Sequence, residues 1–69
     1  MYRMTIAGTD YLPETLEEAA AIFRRARARH VAAGRGVRAL IRIHDVDAAE
    51  RGAPRAGYLR VDGTVVWDA

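Results

Sequence analysis

The chain has 69 residues, a formal net charge of +2 and no cysteine. A chain this short forms one small domain, and without cysteine it has neither a disulfide framework nor a thiolate metal site. No run of about 18 apolar residues is present to span a membrane, and the first residues are too polar for a signal peptide, so we expect a cytoplasmic protein.

Arginine supplies the entire basic charge of the chain, with eleven arginines, no lysine and nine carboxylates. The guanidinium group stacks on planar groups and binds carboxylate or phosphate through two parallel hydrogen bonds. The arginine and alanine content also agrees with a GC-rich genome. Because the net charge is modest, a strongly basic surface arises only where arginines cluster.

The first predicted element is a strand over Tyr2–Ala7. Apolar and polar side chains alternate along it, which buries one face and leaves Arg3 and Thr5 on the other. A connection over residues 8–14, containing turn-forming and helix-breaking residues, leads to the next element.

The main predicted element is a helix over Thr15–Val31. Thr15 and Glu18 have the spacing of a capping box, which favours a helix start at this point. At 100° per residue one side of the helix is apolar and rich in alanine; it comprises Leu16, Ala19, Ala20, Ile22, Phe23 and Ala26. Arg27 and His30 follow this stripe, either because the helix end overhangs the sheet or because it forms a recognition edge.

A second strand is predicted over Val37–His44, where the alternation is clear. One face carries Val37, Ala39, Ile41 and Ile43, and the other carries Arg38, Leu40, Arg42 and His44. Residues Asp47–Gly57 lack a period and are predicted as a loop, with a short turn of helix at Asp47–Arg51 as the alternative. A loop of this length favours a contact with another molecule.

A hairpin is predicted at the end of the chain, with a two-residue Asp62-Gly63 turn between Tyr58–Val61 and Thr64–Trp67. This register pairs Tyr58 with Trp67. It assigns Leu59, Val61, Thr64 and Val66 to the core, and Tyr58, Arg60, Val65 and Trp67 to the opposite face.

The order of elements is β-α-β-β-β, which predicts an α+β domain over residues 1–69. One helix covers one face of a small, mostly antiparallel sheet. If the first two strands are neighbours, a right-handed crossover through the helix makes those two strands parallel.

The sheet face that the helix leaves uncovered is the predicted interaction surface. Arginine, aromatic and aliphatic side chains occur together on it, a combination typical of interaction sites. The predicted partner-binding residues are Arg3, Arg38, Leu40, Arg42, His44, Tyr58, Arg60 and Trp67. The alternative interpretation is that Trp67 and Tyr58 form an ordinary cross-strand pair with arginine stacked over them.

Two uses of this face compete. Aromatic anchors suit a protein partner or a homodimer, whereas stacked bases and bound phosphates suit single-stranded nucleic acid. The glycine-aromatic signature of the common RNA-binding sheet is absent and the charge is modest, so a protein partner is favoured. We expect Trp67→Ala and Arg42→Glu to leave the fold intact and to impair the partner contact. Unfolding of both variants would instead place this face in the core.

Residues for catalysis are scarce. The chain has no serine, cysteine or lysine, and its two histidines, His30 and His44, do not have the spacing of metal ligands. We therefore expect no enzymatic activity, no catalytic residue, no cofactor and no metal.

The layout resembles that of the tiny anti-CRISPR proteins of phages and prophages that inhibit type I systems. The resemblance lies in the opening strand Tyr2–Ala7, in the single helix opened by Thr15-Leu16-Glu17-Glu18-Ala19, and in the closing hairpin that ends Gly63-Thr64-Val65-Val66-Trp67-Asp68. It implies a non-enzymatic inhibitor in the host cytoplasm that binds a Cas subunit of the crRNA-guided surveillance complex and blocks target DNA.

Many such inhibitors are acidic mimics of DNA, and this chain departs from that pattern because it is basic. Two alternatives belong to other classes of protein. One is a small basic nucleic-acid-binding protein that uses the open sheet face, and the other is a dimeric interaction module with a self-complementary face.

Overall fold

A helix of 17 residues packs on one face of a five-stranded antiparallel sheet in the computed structural model, which describes residues 1–69. The strands are β1 (Tyr2–Ile6), β2 (Thr9–Tyr11), β3 (Leu40–Asp45), β4 (Arg55–Arg60) and β5 (Val65–Trp67), and the helices are α1 (Leu16–Ala32) and α2 (Val46–Glu50). The sheet order is β2-β1-β3-β4-β5. The predicted α+β class is confirmed.

Helix α1 begins where the capping residues predict. The Thr15 hydroxyl accepts a hydrogen bond from the backbone N–H of Glu18 at 3.1 Å, and the Glu18 carboxylate accepts one from the N–H of Glu14 at 3.2 Å. At the other end Gly34 has φ 77°, and the N–H of Arg35 donates to the carbonyl of His30 at 2.8 Å. Both ends of the helix therefore satisfy backbone groups that would otherwise lack partners.

The core lies between α1 and the sheet. Phe23 is fully buried at its centre, and the small residues Ala19 and Ala26 let the helix approach the strands closely. The core cluster comprises Met4, Ile6, Ala19, Phe23, Ala26, Ile43 and Leu59. Beyond Ala26 no residue of α1 is buried, and Val31 is 53% exposed. The last turns of the helix are therefore more exposed than its first part, although Arg27 and His30 remain half-buried.

Strand β2 was not predicted and changes the direction of β3. The chain reverses at Ala7 and Gly8, which have φ 50° and 83°, the positive values that a two-residue hairpin turn requires. Strand β2 pairs with β1 and carries the chain back toward the start of β1. As a result β3 runs antiparallel to β1, and the predicted parallel crossover is wrong.

The segment predicted as a loop contains regular structure, and the alternative of a short helix is confirmed. Helix α2 follows β3 directly because the Asp45 carboxylate accepts from the N–H of Ala48 at 3.1 Å and caps it. Strand β4 begins at Arg55, three residues before the predicted start. Strand β3 begins at Leu40, three residues after its predicted start, and extends to Asp45.

The final hairpin has a three-residue loop, so its predicted register is wrong by one residue. The N–H of Arg60 donates to the carbonyl of Thr64 at 2.9 Å, which encloses residues 61–63, and Gly63 has φ 95°. The Asp62 carboxylate accepts from the backbone N–H and the hydroxyl of Thr64 at 2.9 and 2.7 Å, which holds the loop and lowers the pKa of Asp62. A shift of one residue exchanges the two faces of β5.

Candidate functional site: the open face of the sheet

The open face is the side of the sheet opposite α1. Six of the eight predicted partner-binding residues lie on it: Arg3, Leu40, Arg42, His44, Tyr58 and Arg60. Val66, which was predicted to lie in the core, also belongs to this face because it pairs with Tyr58. The chain thus places side chains from β1, β3, β4 and β5 on one uncovered surface.

An apolar strip of Leu40, Tyr58 and Val66 crosses the open face. Tyr58 lies directly opposite Val66, and Leu40 occupies a diagonal position next to Tyr58, within reach of its ring. The three side chains are 43%, 45% and 47% exposed. The three neighbouring side chains form an exposed apolar patch, whereas isolated exposed apolar residues are ordinary.

Arg42 and Asp68 hold the centre of this face in place. The Arg42 guanidinium lies 4.8 Å from the centroid of the Tyr58 ring, and its Nη1 donates to Oδ1 of Asp68 at 2.9 Å while Nη2 donates to Oδ2. This two-fold hydrogen bond lowers the pKa of Asp68 and raises that of Arg42. Arg42 therefore orients Tyr58, and its charge is already compensated within the chain.

The other arginines of this region keep their charge available. Neither Arg3 nor Arg60 has a carboxylate within ion-pair distance, and neither donates a side-chain hydrogen bond. The same holds for Arg38, which precedes β3 and lines a cleft at the end of the sheet. Of these arginines, Arg60 lies next to Leu40 in the strip, and Arg3 lies one strand further away, beside His44.

The prediction that Trp67 lies on the open face is wrong. Trp67 lies on the helix face, opposite Gly57, whose missing side chain leaves room for the close approach of β5: a Cβ there would meet the Trp67 Cα at 2.8 Å. The Arg55 guanidinium lies 3.8 Å from the Trp67 ring centroid, and the ring centroid of Tyr2 is 6.4 Å away. We therefore expect Trp67→Ala to reduce stability rather than to act only on a partner contact.

Arg55 connects this aromatic cluster to the cap of α2. Its Nη2 donates to Oδ2 of Asp45 at 3.0 Å. The hydrogen bond from Ala48 and the ion pair with Arg55 hold the pKa of Asp45 below its ordinary value, although burial of the carboxyl acts in the opposite direction.

The sequence did contain a signal for the position of Trp67, because Asp62 and Thr64 can brace a three-residue loop that ends at a glycine.

No group of three or more histidine and carboxylate side chains lies close enough together to hold a metal ion. His30 lies on the last turns of α1 and His44 lies on β3. Neither helix has the length and apolar character that crossing a membrane requires.

Comparison with models of known protein families, with curated proteins and with solved structures finds no match to this chain.

Proposed function

We propose that the open face binds an acidic surface of a protein partner and that the chain is a small non-enzymatic inhibitor. The observation that carries the proposal is the exposed apolar strip of Leu40, Tyr58 and Val66. Arg60 lies beside Leu40 and has no carboxylate within ion-pair distance. Interfaces concentrate their binding energy in such a centre, in which aromatic and arginine side chains are enriched.

The charge on this face favours a partner that presents carboxylates. Arg60 adjoins the strip, Arg3 lies beyond β3, and neither has a carboxylate within ion-pair distance. Complementary charge speeds the encounter and disfavours basic surfaces, while the apolar centre supplies most of the affinity. A second copy of this chain is less suitable, since it would bring the same arginines together.

The specific form of the proposal is an anti-CRISPR protein of the host cytoplasm that binds a Cas subunit of a type I surveillance complex and blocks target DNA. The resemblance in size and layout motivates this choice, and an interaction face that is basic and apolar suits an acidic protein surface better than it suits mimicry of DNA.

The test is target-DNA binding by a purified type I surveillance complex with and without the protein. Pre-incubation with the protein is expected to abolish DNA binding, and the protein alone is expected to leave free duplex DNA without terminal phosphates unshifted at physiological salt. If the complex binds DNA equally well in both samples, the anti-CRISPR proposal is wrong.

Variants of the strip test the surface itself. Tyr58→Ala removes the central aromatic side chain and is expected to weaken partner binding by about 2 kcal/mol, roughly 30-fold. Val66→Ala and Val31→Ala form a matched pair, because both valines are about half exposed and only Val66 lies on the open face. Weakening by Val66→Ala alone supports the surface, and equal effects of the two variants contradict it.

Single-stranded nucleic acid is the alternative occupant of this face, and one observation makes it less suitable. Because Trp67 lies on the helix face, Tyr58 is the only aromatic side chain on the open face, and Arg42 already lies over its ring. Non-specific binding of single strands usually stacks successive bases on several aromatic side chains. A steep loss of DNA binding by the isolated protein as salt rises would favour this alternative.

A further inference from the structure

A second site lies at the end of the sheet, where β1 and β3 diverge. Their pairing stops at Met4 and Ile43, although β1 continues to Ile6 and β3 begins at Leu40. A cavity of about 510 Å³ fills the gap between residues 5–7 and residues 40–42 and continues to the segment after α1. We call this cavity the basic cleft; its volume falls within the range of small-molecule sites, roughly 300–1,000 Å³.

Three arginines line the basic cleft, and His30 and Thr5 are its other polar residues besides Tyr58. Arg35, Arg38, Arg42 and His30 line it, and no carboxylate does. Between Arg24 and His44 the chain carries seven arginines and no aspartate or glutamate, so the surroundings add to this positive potential. A concave basic site of this kind raises the local concentration of anions.

Two of these arginines have no function within the fold. Arg35 and Arg38 donate no side-chain hydrogen bond and pair with no carboxylate, whereas Arg42 is held by Asp68. The backbone of Arg35 is nevertheless fixed, because its N–H closes the end of α1 on the carbonyl of His30. The N–H groups of residues 33 and 34 also donate to carbonyls at the end of α1. Because these carbonyls are hydrogen-bonded, the negative end of the helix dipole repels an anion less strongly.

The remaining lining is apolar and includes Ile6, Val37, Leu40 and the ring of Tyr58. A ligand that suits the cleft therefore has an anionic group and a flat or apolar part. Arginine binds phosphate through a planar fork of donors. The aliphatic side chains of the cleft offer an apolar surface for a base, because Arg42 already occupies a face of the Tyr58 ring.

We propose that the basic cleft binds the phosphate of a nucleotide, with Arg35 and Arg38 as its ligands. The phosphate can belong to a free nucleotide or to the end of an oligonucleotide, since both present the same group. This site is distinct from the partner-binding role of the open face, although the two share Arg38, Leu40, Arg42 and Tyr58.

The experiment is a titration of the isotopically labelled full chain, followed by NMR, with AMP, ATP, inorganic phosphate and a 5′-phosphorylated single-stranded oligonucleotide as separate probes. Backbone signals of residues 35–42 and the guanidinium signals of Arg35 and Arg38 are expected to shift. Saturation by free nucleotides identifies a soluble ligand, and saturation by the oligonucleotide alone identifies a strand end. The absence of saturable shifts with every probe overturns the proposal.

Matched charge reversals test the assignment. Arg35→Glu is expected to weaken binding of the saturating probe by at least about tenfold, since a charged hydrogen bond and a favourable charge are both lost. Arg51→Glu changes the net charge equally, and Arg51 is exposed and lies outside the cleft. Equal weakening by both variants would show diffuse attraction and overturn the site.

Two further variants complete the test, and the second of them separates this proposal from the partner-binding one. Arg38→Glu provides a second test in case Arg35→Glu alters the end of α1, which circular dichroism would detect. Val66→Ala is expected to leave phosphate binding unchanged, because Val66 does not line the cleft. The same variant is expected to weaken binding of the protein partner. Failure of either proposal therefore leaves the other intact.

Discussion

Replacement of Trp67 by alanine tests the register of the last hairpin, on which the assignment of both sheet faces depends. In the observed register Trp67 packs on the helix face against Tyr2 and beneath Arg55. A fully buried tryptophan costs about 3–5 kcal/mol when truncated to alanine. Because Trp67 is partly buried, we take about half of this value, roughly 2 kcal/mol, and the lost contact with Arg55 adds about 0.5–1 kcal/mol.

The expected loss of about 2–3 kcal/mol is large for this chain. A domain of this length has a free energy of unfolding of roughly 3–10 kcal/mol, so Trp67→Ala is expected to lower the Tm by about 10–20 °C. Urea and thermal unfolding followed by circular dichroism measure the change without relying on tryptophan fluorescence.

Val66→Ala is the control, because Val66 is the exposed neighbour on the same strand. It is expected to cost less than about 1 kcal/mol, within the range of strand propensity. If Val66→Ala destabilises the protein strongly and Trp67→Ala does not, β5 pairs one residue further along and the assignment of its faces is wrong.

Two more predictions concern the first turn and acid stability. Ala7 has φ 50°, a conformation that costs an alanine roughly 1–2 kcal/mol. Ala7→Asn is therefore expected to raise the free energy of unfolding, measured in urea, by about 1 kcal/mol, and Ala7→Val is expected to lower it. If asparagine does not raise the free energy of unfolding, the left-handed turn is contradicted. The pKa of Asp45 is lowered in the folded state, so its stabilising contribution is present above the ordinary aspartate range, about 3.9, and is lost as the pH falls through the folded pKa. Asp45→Asn retains a cap for Ala48 but cannot titrate, so unfolding measured between pH 7 and 2 is expected to depend less steeply on pH; an unchanged slope would contradict this role.

The sequence by itself determined the main helix and the strand at the centre of the sheet. The cap at Thr15 and the spacing of apolar residues up to Ala26 are local features, so they predicted α1 to within one residue at either end. The alternation before Asp45 likewise placed Ile43 in the core and Arg42 on the open face. Leu40 and His44 follow from the same alternation, and the alternation along β1 and β4 likewise placed Arg3, Tyr58 and Arg60 on the open face.

The tertiary structure decided which way the strands run, and it decided between the two-residue and the three-residue loop that the sequence around Asp62-Gly63 allows. Strand β2 depends on a left-handed alanine at position 7, which no sequence preference indicates. The loop before β5 has one residue more than the Asp62-Gly63 pair suggested. Because successive side chains of a strand point to opposite faces, this extra residue places Trp67 on the helix face and Val66 on the open face. The basic cleft arises in the same way, because it exists only where the pairing of β1 and β3 ends, and pairing joins residues that are distant in the chain.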